Sequence, residues 1–329
     1  MTNKNILIAD IGGTNARFAF ASNGEEGFDR AQTLKCSDYE TVEAAIDAYL
    51  ADQNESAVEA ICFAAAGPVI NQRIKFTNNA WVIEVKSLRE RYSTEQVFLL
   101  NDWVSIAYGL PELDDSHSSP IGDASGRTWQ LPHGESYSIG GIGPGSGLGV
   151  TGLLRRNNQF VPIVTEGGHT GFAPQTHLQT EILLILQRKF ERVSNERILS
   201  GPGMVNLYQA LCEIEGVQPR ELNASQIGAE SGSDKTCGTS LCVFFEVLGQ
   251  VAGDLVLTLG TYDGIFIGGG ICQQYPEALG ESNFRKGFKN KGRHQHVLEE
   301  VPTWLITHKN PGLLGAAAYA KSQLVEQLL

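Results

Sequence analysis

Five consecutive residues near the start of the chain combine a carboxylate, two glycines and a hydroxyl. They are Asp10-Ile11-Gly12-Gly13-Thr14, and Asn15 and Arg17 follow them. Adjacent glycines adopt backbone angles closed to other residues, so main-chain N–H groups can gather around an anion. Mg²⁺ is usually held by one or two carboxylates together with substrate phosphates. The stretch therefore predicts a phosphate-binding turn in which Asp10 holds Mg²⁺ through water or phosphate. The alternative is an ordinary hairpin turn, where Gly-Gly is also common.

A second carboxylate lies where a strand gives way to a helix. Residues 96–100 (QVFLL) predict a buried strand, Asn101 and Asp102 follow, and WVSIAYGL predicts a helix. A kinase that acts on an alcohol needs a carboxylate within hydrogen-bond reach of the hydroxyl group. An Asp at this position can equally be a helix N-cap. Both interpretations remain open from the residues alone.

The glycine-rich segment 137–154 (YSIGGIGPGSGLGVTGLL) repeats the opening pattern of strand, turn and strand. Gly145-Ser146-Gly147 is accordingly predicted as the turn of a second β-hairpin. Gly147, Gly149 and Gly152 also match G-x-G-x-x-G, but that fingerprint requires a following helix. The residues after it predict a hairpin, and no G-x-x-x-x-G-K-[ST] segment occurs. Dinucleotide-binding and Walker-type sites are therefore excluded.

Four further polar or glycine-rich positions each allow a structural and a functional interpretation. Asn79, in the loop 77–81, either shapes a turn or faces a polyol. Glu166 and His169 (EGGHT) are predicted to present a carboxylate and an imidazole to hydroxyl groups. Glu196 lies before SGPG and is either a solvated helix end or a sugar ligand. Gly268-Gly269-Gly270 follows a predicted strand, and is either a plain turn or a flat backbone support for adenine.

The elements that must position these residues alternate between strand and helix, which favours an α/β fold. Predicted helices cover residues 39–50, 178–193, 241–259 and 315–328, and predicted strands cover 60–66, 264–267 and 303–307. Residues 114–128 and 216–235 are polar and rich in small residues, so they predict surface segments. A chain of 329 residues is long for one core. We expect a small domain of residues 1–112 plus 308–329 and a large domain of residues 113–307.

Several of these segments together resemble one family. IADIGGTNARFAF, LLNDWVSIAYGLPEL, EGGHTGFAP, NERILSGPGMVNLYQAL, FRKGFKNKGR and HKNPGLLGAAAYA resemble the bacterial glucokinases, within the superfamily of sugar kinases, heat-shock protein 70 and actin. The resemblance runs from Ile6 to about Tyr319. It implies a two-domain actin-like ATPase fold, with a duplicated ribonuclease H-like core and a cleft between the domains. It also implies ATP-dependent phosphorylation of D-glucose to glucose 6-phosphate, with ATP and Mg²⁺, by a homodimer.

The resemblance further implies roles for individual residues. Asp102 matches the general base. The implied sugar ligands are Asn79, Asn101, Asp102, Glu166, His169 and Glu196. The implied nucleotide-contacting residues are Ala9, Asp10, Ile11, Gly12, Gly13, Thr14, Asn15, Arg17, Gly145, Ser146, Gly147, Gly268, Gly269 and Gly270.

The composition of the chain indicates which classes of partner and which cellular location to expect. The 25 basic and 37 acidic residues give a net charge of −12, and the only basic patch (289–293) is typical of a solvated face, so nucleic acid is not expected. No apolar run approaches the roughly 20 residues that span a bilayer. The chain enters its first strand without a signal-peptide pattern, so we expect a cytoplasmic protein. The six cysteines form no C-x-x-C pair, and none lies between Cys62 and Cys212. We therefore expect reduced core cysteines and no zinc.

Two alternatives to glucose phosphorylation remain at this stage. The enzyme could act on another hexose or use a phosphoryl donor other than ATP. The chain could also be a sugar-responsive regulator built on a kinase fold, although such regulators need a DNA-binding module that an acidic chain of this kind does not provide.

Overall fold

The computed structural model describes residues 5–22, 27–76, 79–122, 136–157 and 159–326. The chain divides into two compact units. Unit 1 consists of Met1–Leu113 and His308–Leu329, and unit 2 consists of Asp114–Thr307. The start and the end of the chain therefore fold together.

Strands and helices alternate along both units. The strands are β1 (Ile6–Ile11), β2 (Asn15–Ala21), β3 (Phe28–Lys35), β4 (Ala60–Ala65), β5 (Arg73–Lys75), β6 (Val82–Glu84), β7 (Gln96–Asn101), β8 (Ser118–Pro120), β9 (Ser136–Pro144), β10 (Leu148–Arg156), β11 (Gln159–Val164), β12 (Ile265–Ile267) and β13 (Thr303–Ile306). The helices are α1 (Val42–Asp52), α2 (Val85–Tyr92), α3 (Asp102–Gly109), α4 (His177–Gln187), α5 (Gly201–Glu215), α6 (Ala224–Ala229), α7 (Lys235–Leu259), α8 (Gly270–Gln274), α9 (Pro276–Glu281), α10 (Phe284–Lys289), α11 (Gln295–Glu300) and α12 (Pro311–Glu326).

Unit 1 is built on a five-stranded sheet in the order β3-β2-β1-β4-β7. β1 pairs with β2 as an antiparallel hairpin and with β4 in parallel, and β4 pairs with β7 in parallel. β4 is buried at every position, as expected for a strand covered on both faces. The parallel order brings the carboxyl ends of β1, β4 and β7 to one edge of the sheet, where α/β folds place ligands.

Unit 2 contains a six-stranded sheet in the order β11-β10-β9-β12-β13-β8. β9 and β10 form an antiparallel hairpin around Gly145–Gly147, and β12 lies parallel to both β9 and β13. The long helix α7 runs through the apolar core of this unit, with 16 of its residues buried. Among the described residues it is the one helix long and apolar enough to span a membrane, and 72% of its most apolar window is buried inside the protein. Its apolar character is thus accounted for by the core.

The α/β prediction is confirmed, with differences at several boundaries. α7 begins at Lys235 instead of residue 241, because the side chain of Asp234 caps it by accepting a hydrogen bond from the backbone N–H of Cys237. α12 begins at Pro311 instead of residue 315, because proline is well tolerated in the first turn of a helix. α4 ends at Gln187, earlier than the predicted 193.

Two predicted surface segments contain regular structure. β8 lies within 114–128 and pairs with the edge of β13, and α6 lies within 216–235 behind a capping box at Asn223. The remainder of the first segment, residues 123–128, lies outside the described residues. Five cysteines are buried and unpaired as predicted, but Cys242 is exposed because its position on α7 faces away from the core.

Candidate active site

Asp10 and Asp102 lie at the same edge of the unit 1 sheet. Ile11, at the end of β1, pairs with Ala65 of β4, which in turn pairs with Asn101 of β7. Two strand spacings of about 4.8 Å therefore separate Ile11 from Asn101, or about 10 Å in total. The two carboxylates that the sequence singled out are neighbours of this pair along the chain.

Within the described part of the chain, Arg17 is the cation next to the Asp10 carboxylate. Asp10 and Arg17 are cross-strand partners in the β1–β2 hairpin, and Arg17 Nη1 lies 3.5 Å from Asp10 Oδ2. Burial raises the pKa of the Asp10 carboxyl above its usual value, and the Arg17 guanidinium offsets only part of that effect. A partly buried carboxylate with incomplete charge compensation is suited to a hydrated divalent cation. The residues present thus fit a Mg²⁺ ligand at Asp10.

The glycine turn after β1 leaves donors available. Gly12 N–H donates to Asn15 O (2.9 Å), which closes the turn, and Thr14 O accepts from Cys36 N–H (2.9 Å). In the described part of the chain, the N–H groups of Gly13 and Thr14 donate to no protein acceptor. Adjacent N–H groups of this kind form the anion-binding concavity that the sequence predicts. The side chains of Ala9 and Ile11 are fully buried, so only their backbone atoms could contribute to a ligand site.

Asn101, and not Asp102, is the N-cap of α3. Its Oδ1 accepts hydrogen bonds from the N–H groups of Trp103 (3.0 Å) and Val104 (3.3 Å), and its amide donates to Gly67 O (3.2 Å). Asp102 is the first helical residue, half-buried, and its Oδ1 accepts from Trp103 N–H at 2.9 Å. The capping interpretation that the sequence left open for Asp102 therefore applies to its neighbour.

The Asn79 side chain bridges its own loop and the Gly12–Gly13 turn. Its Nδ2 donates to Gly13 O (3.5 Å), and its Oδ1 accepts from Trp81 N–H (2.8 Å). Trp81 is buried and donates its indole N–H to Tyr39 O (3.0 Å). These bonds support the structural interpretation, in which Asn79 shapes the turn and Trp81 is a core residue, and the polyol contact of Asn79 stays a prediction. Thr77 and Asn78 lie outside the described residues.

Within unit 2, Glu196 reaches the second glycine turn. Glu196 Oε2 accepts from the N–H of Leu148, at 2.9 Å. A Cβ on Gly147 would lie 2.6 Å from the same oxygen, so glycine is required for the carboxylate to occupy this place. The turn itself is closed by Gly145 N–H donating to Gly147 O (2.8 Å). A predicted sugar ligand and a predicted phosphate turn are therefore in direct contact.

His169 lies beside Glu196. Its Nδ1 is 3.9 Å from Glu196 Oε1, and more than half of its side chain is exposed. Gly167–His169 is a short 3₁₀ turn with Glu166 preceding it, and His169 N–H donates to Glu166 O (3.0 Å). A Cβ on Gly168 would lie 2.1 Å from Leu148 O, so the turn packs backbone against backbone on β10. The structure thus brings His169 and Glu196 together, with Glu166 exposed at the start of the same turn.

The third glycine segment lies next to the second one. Gly268 N–H donates to Ile142 O (2.8 Å), and Gly269 has φ +89°, a conformation that favours glycine. A Cβ on Gly269 would lie 2.2 Å from Pro144 O, immediately before the Gly145–Gly147 turn. Gly270 has open space on its Cβ side. Two glycine-rich segments predicted to contact the nucleotide therefore meet at the end of β9.

Sequence reasoning missed two residues that shape the unit 1 site. A Cβ on Gly312 would lie 3.0 Å from Asp10 Cγ, and the fully buried Ser105 donates its hydroxyl to Gly312 O (2.8 Å). In the sequence, Gly312 stands out only as a residue of the HKNPGLLGAAAYA segment, just before the predicted helix 315–328. No local pattern connects it to a residue at the other end of the chain.

One cluster of potential metal ligands occurs among the described residues, and a guanidinium occupies it. Glu230, Asp234 and Cys237 offer ligand atoms within 4.8 Å of one another. Arg220 Nη2 lies 2.6 Å from Glu230 Oε2 and 3.0 Å from Asp234 Oδ2. The Arg220 guanidinium therefore supplies, at this cluster, the positive charge that a metal ion would otherwise provide.

Comparison with known proteins identifies one family. The glucokinase family profile matches residues 7–323. The curated glucokinase of Hahella chejuensis (strain KCTC 2396) is 38% identical over 321 residues, covering 97% of this chain and 98% of that protein. A solved glucokinase from an Antarctic psychrotroph is 33% identical with a TM-score of 0.86, covering 97% of this chain and 99% of that one.

A more distant structure has the same fold. The ROK family glucokinase from Streptomyces griseus, solved in complex with glucose and AMPPNP, is 19% identical with a TM-score of 0.62, covering 97% of this chain and 99% of that one. At this identity the likeness concerns the fold alone, and the predicted two-domain actin-like fold is confirmed. Because the profile and the 38% identity both extend over nearly the full length, the chain belongs to the glucokinase family.

Proposed function

We propose that this protein transfers the γ-phosphoryl group of ATP to the 6-hydroxyl of D-glucose, with Asp102 as general base. Membership of the glucokinase family supports the reaction. The assignment of the base depends on one observation at the start of α3. Asn101 caps the helix, and the half-buried Asp102 carboxylate, whose Oδ1 accepts from Trp103 N–H, lies in the first turn of α3 at the sheet edge where α/β folds bind ligands.

The chemistry assigned to the chain is the movement of one proton. As the 6-oxygen of glucose forms its bond to the γ-phosphorus, its proton passes to the Asp102 carboxylate. The bond from the γ-phosphorus to the bridging oxygen breaks, and ADP leaves with that electron pair. Such a transfer depends on alignment and charge compensation more than on covalent catalysis. When bound, Mg²⁺ supplies compensation for the phosphate charge, and Asp10 is the residue that would hold it.

We assign the remaining residues to substrate binding. In unit 1, Asn79 and Asn101 offer amide groups to sugar hydroxyls, and in unit 2, Glu166, His169 and Glu196 offer acceptors and an imidazole. The proposed nucleotide-contacting segments are the β1–β2 turn with Arg17, the turn Gly145–Gly147, and Gly268–Gly270. The contact of Glu196 with Leu148 N–H beside Gly147 supports placing sugar and phosphate groups close together in unit 2.

The cellular setting is part of the same proposal. We propose a cytoplasmic enzyme that uses Mg²⁺ and carries no structural zinc, and the family resemblance implies that it acts as a homodimer. The occupation of the Glu230–Asp234–Cys237 cluster by Arg220 supports the absence of zinc at that cluster.

A coupled assay tests the proposal. Purified protein is supplied with ATP and Mg²⁺ and with glucose, mannose, fructose or N-acetylglucosamine, and then with glucose and several phosphoryl donors. We expect glucose and ATP to give the highest kcat/KM by at least about tenfold, or about 1.4 kcal/mol of transition-state binding. A higher kcat/KM for another hexose or another donor would contradict the assignment and identify the true substrate.

A further inference from the structure

Helices α3 and α12 are in contact through their backbones. A Cβ on Gly315 would lie 1.6 Å from Ser105 O, and one on Gly109 would lie 3.0 Å from both Gly315 N and Pro311 O. No side chain can occupy either position without moving a helix. The two helices therefore pack closely along these glycines within unit 1, and packed interiors respond to small changes in volume.

A buried side-chain hydrogen bond joins the two helices of this pair. Ser105 is fully buried, and its Oγ donates to Gly312 O at 2.8 Å. Ser105 lies three residues after Asp102, which places both on one side of α3. Gly312 lies in the first turn of α12, where its carbonyl can accept an intrahelical bond and the serine hydroxyl together.

The other side of Gly312 meets Asp10. A Cβ there would lie 3.0 Å from Asp10 Cγ, 3.1 Å from Oδ2 and 3.3 Å from Oδ1. Asp102 and Ser105 thus lie one turn apart on α3, Ser105 is hydrogen-bonded to Gly312, and Gly312 lies next to Asp10. These contacts join the proposed base to the proposed metal ligand by a route separate from the β1-β4-β7 sheet.

We propose that Ser105 is a positioning residue that sets the place of Asp102 relative to Asp10 by fixing α3 against α12. Ser105 touches neither substrate nor metal in this role, and it acts through Gly312. The inference rests on the proposed function, because it presupposes that Asp102 is the base. Misplacement of a catalytic group by about 1 Å can lower the rate by about 10²-fold, so a modest shift of α3 is sufficient.

The test compares two buried serines. Ser105→Ala removes the hydroxyl, and Ser240→Ala is the matched control. Ser240 is also fully buried, and its Oγ donates to a helix carbonyl, that of Thr236, at 2.7 Å within α7 of unit 2. Ser105→Ala and Ser240→Ala each remove one buried hydrogen bond from a serine hydroxyl to the backbone carbonyl of a helical residue. Ser105→Cys keeps a weaker donor at the same place and provides a second variant if alanine impairs folding.

We expect Ser105→Ala to lower kcat by about 10- to 100-fold, with KM for ATP changed less than about threefold. Ser105→Cys should fall between the alanine variant and the wild type, and Ser240→Ala should keep kcat within about twofold. The decisive measurement repeats Ser105→Ala in an Asp102→Asn background. The effects of substitutions are not additive when one residue acts through the other. In the Asp102→Asn enzyme, adding Ser105→Ala should therefore change kcat by less than about twofold.

Two results would overturn the inference while leaving the proposed function intact. One is a kcat within about twofold of wild type in both Ser105 variants while Asp102→Asn is nearly inactive. The other is an equal loss from Ser105→Ala with and without Asp102, which would mark a general structural effect. An active Asp102→Asn enzyme would instead overturn the assignment of the base, and this inference with it.

Discussion

The backbone of Gly312 lies directly against the carboxylate of Asp10, and a Cβ on this glycine would stand 3.0 Å from Asp10 Cγ. Asp10 is the penultimate residue of β1 near the start of the chain, whereas Gly312 belongs to the first turn of α12 near the end. The absence of a side chain at Gly312 therefore defines the space in which the proposed Mg²⁺ ligand sits.

Gly312→Ala should lower the activity of the protein without lowering its stability. Alanine favours a helix over glycine by about 1 kcal/mol, but the new methyl group must displace Asp10 by a few tenths of an ångström. We expect kcat to fall at least about tenfold, with the melting temperature close to that of wild type. Gly280→Ala in α9, where nothing lies within 4 Å of the new Cβ, is the control and should keep full activity. Unchanged kcat in Gly312→Ala would remove Asp10 from the proposed metal site.

Gly147→Ala should weaken glucose binding. Its Cβ would stand 2.6 Å from Glu196 Oε2, so the carboxylate must leave its bond with Leu148 N–H. A displaced Glu196 also loses its proposed hydrogen bond to glucose, and hydrogen bonds to charged groups contribute about 1.5–3 kcal/mol. We therefore expect KM for glucose to rise about 10- to 100-fold. Gly232→Ala, which meets nothing within 4 Å, should leave KM unchanged. A glucose KM within about twofold of wild type in Gly147→Ala would argue against Glu196 as a sugar ligand.

Metal analysis tests the expected cofactor. Removal of Mg²⁺ with a chelator should abolish turnover without unfolding the protein, because the cores of both units are apolar and contain no metal-dependent element among the described residues. Purified protein should contain no stoichiometric zinc, since Arg220 supplies the cation between Glu230 and Asp234. About one zinc per chain, or melting upon chelation, would contradict this expectation.

Asp234 should make the stability of unit 2 depend on pH at the acid end. Its carboxylate accepts from Cys237 N–H (2.9 Å), and this bond and the Arg220 guanidinium lower the pKa of Asp234 below its usual 3.8. The stabilisation is therefore complete above the unfolded pKa and is lost as pH falls through the lower folded pKa.

Chemical denaturation of Asp234→Asn across pH 2–7 measures this contribution. Asparagine keeps the cap but not the charge, so the variant should be less stable than wild type at pH 7 and equal to it at the lowest pH. Asp234→Ala should lose about a further 1 kcal/mol at every pH, because the cap is lost too. A gap between wild type and Asp234→Asn that widens as pH falls would reverse the sign argued here.

Much of the site could be predicted from the sequence because its parts are local. The apolar run of β1 followed by Gly12 and Gly13 predicts a strand and a tight turn, since glycine conformations and strand patterning act over a few residues. The β9–β10 hairpin could be predicted for the same reason. The structure confirms that a strand, and not the helix of a dinucleotide-binding site, follows the glycine-rich turn. The placement of Asp102 at a strand-to-helix junction was equally readable.

The tertiary structure decided which residue caps α3 and which distant residues meet. Cap geometry, not residue type, made Asn101 the N-cap and placed Asp102 in the first turn of the helix. The contacts of Gly312 with Asp10, of Ser105 with Gly312 and of Glu196 with Leu148 join segments far apart in the chain. Periodicity carries no information on such pairs, because they depend on how whole helices and sheets pack after the local elements have formed. The sequence by itself therefore determined the parts of the site, and packing determined their partners.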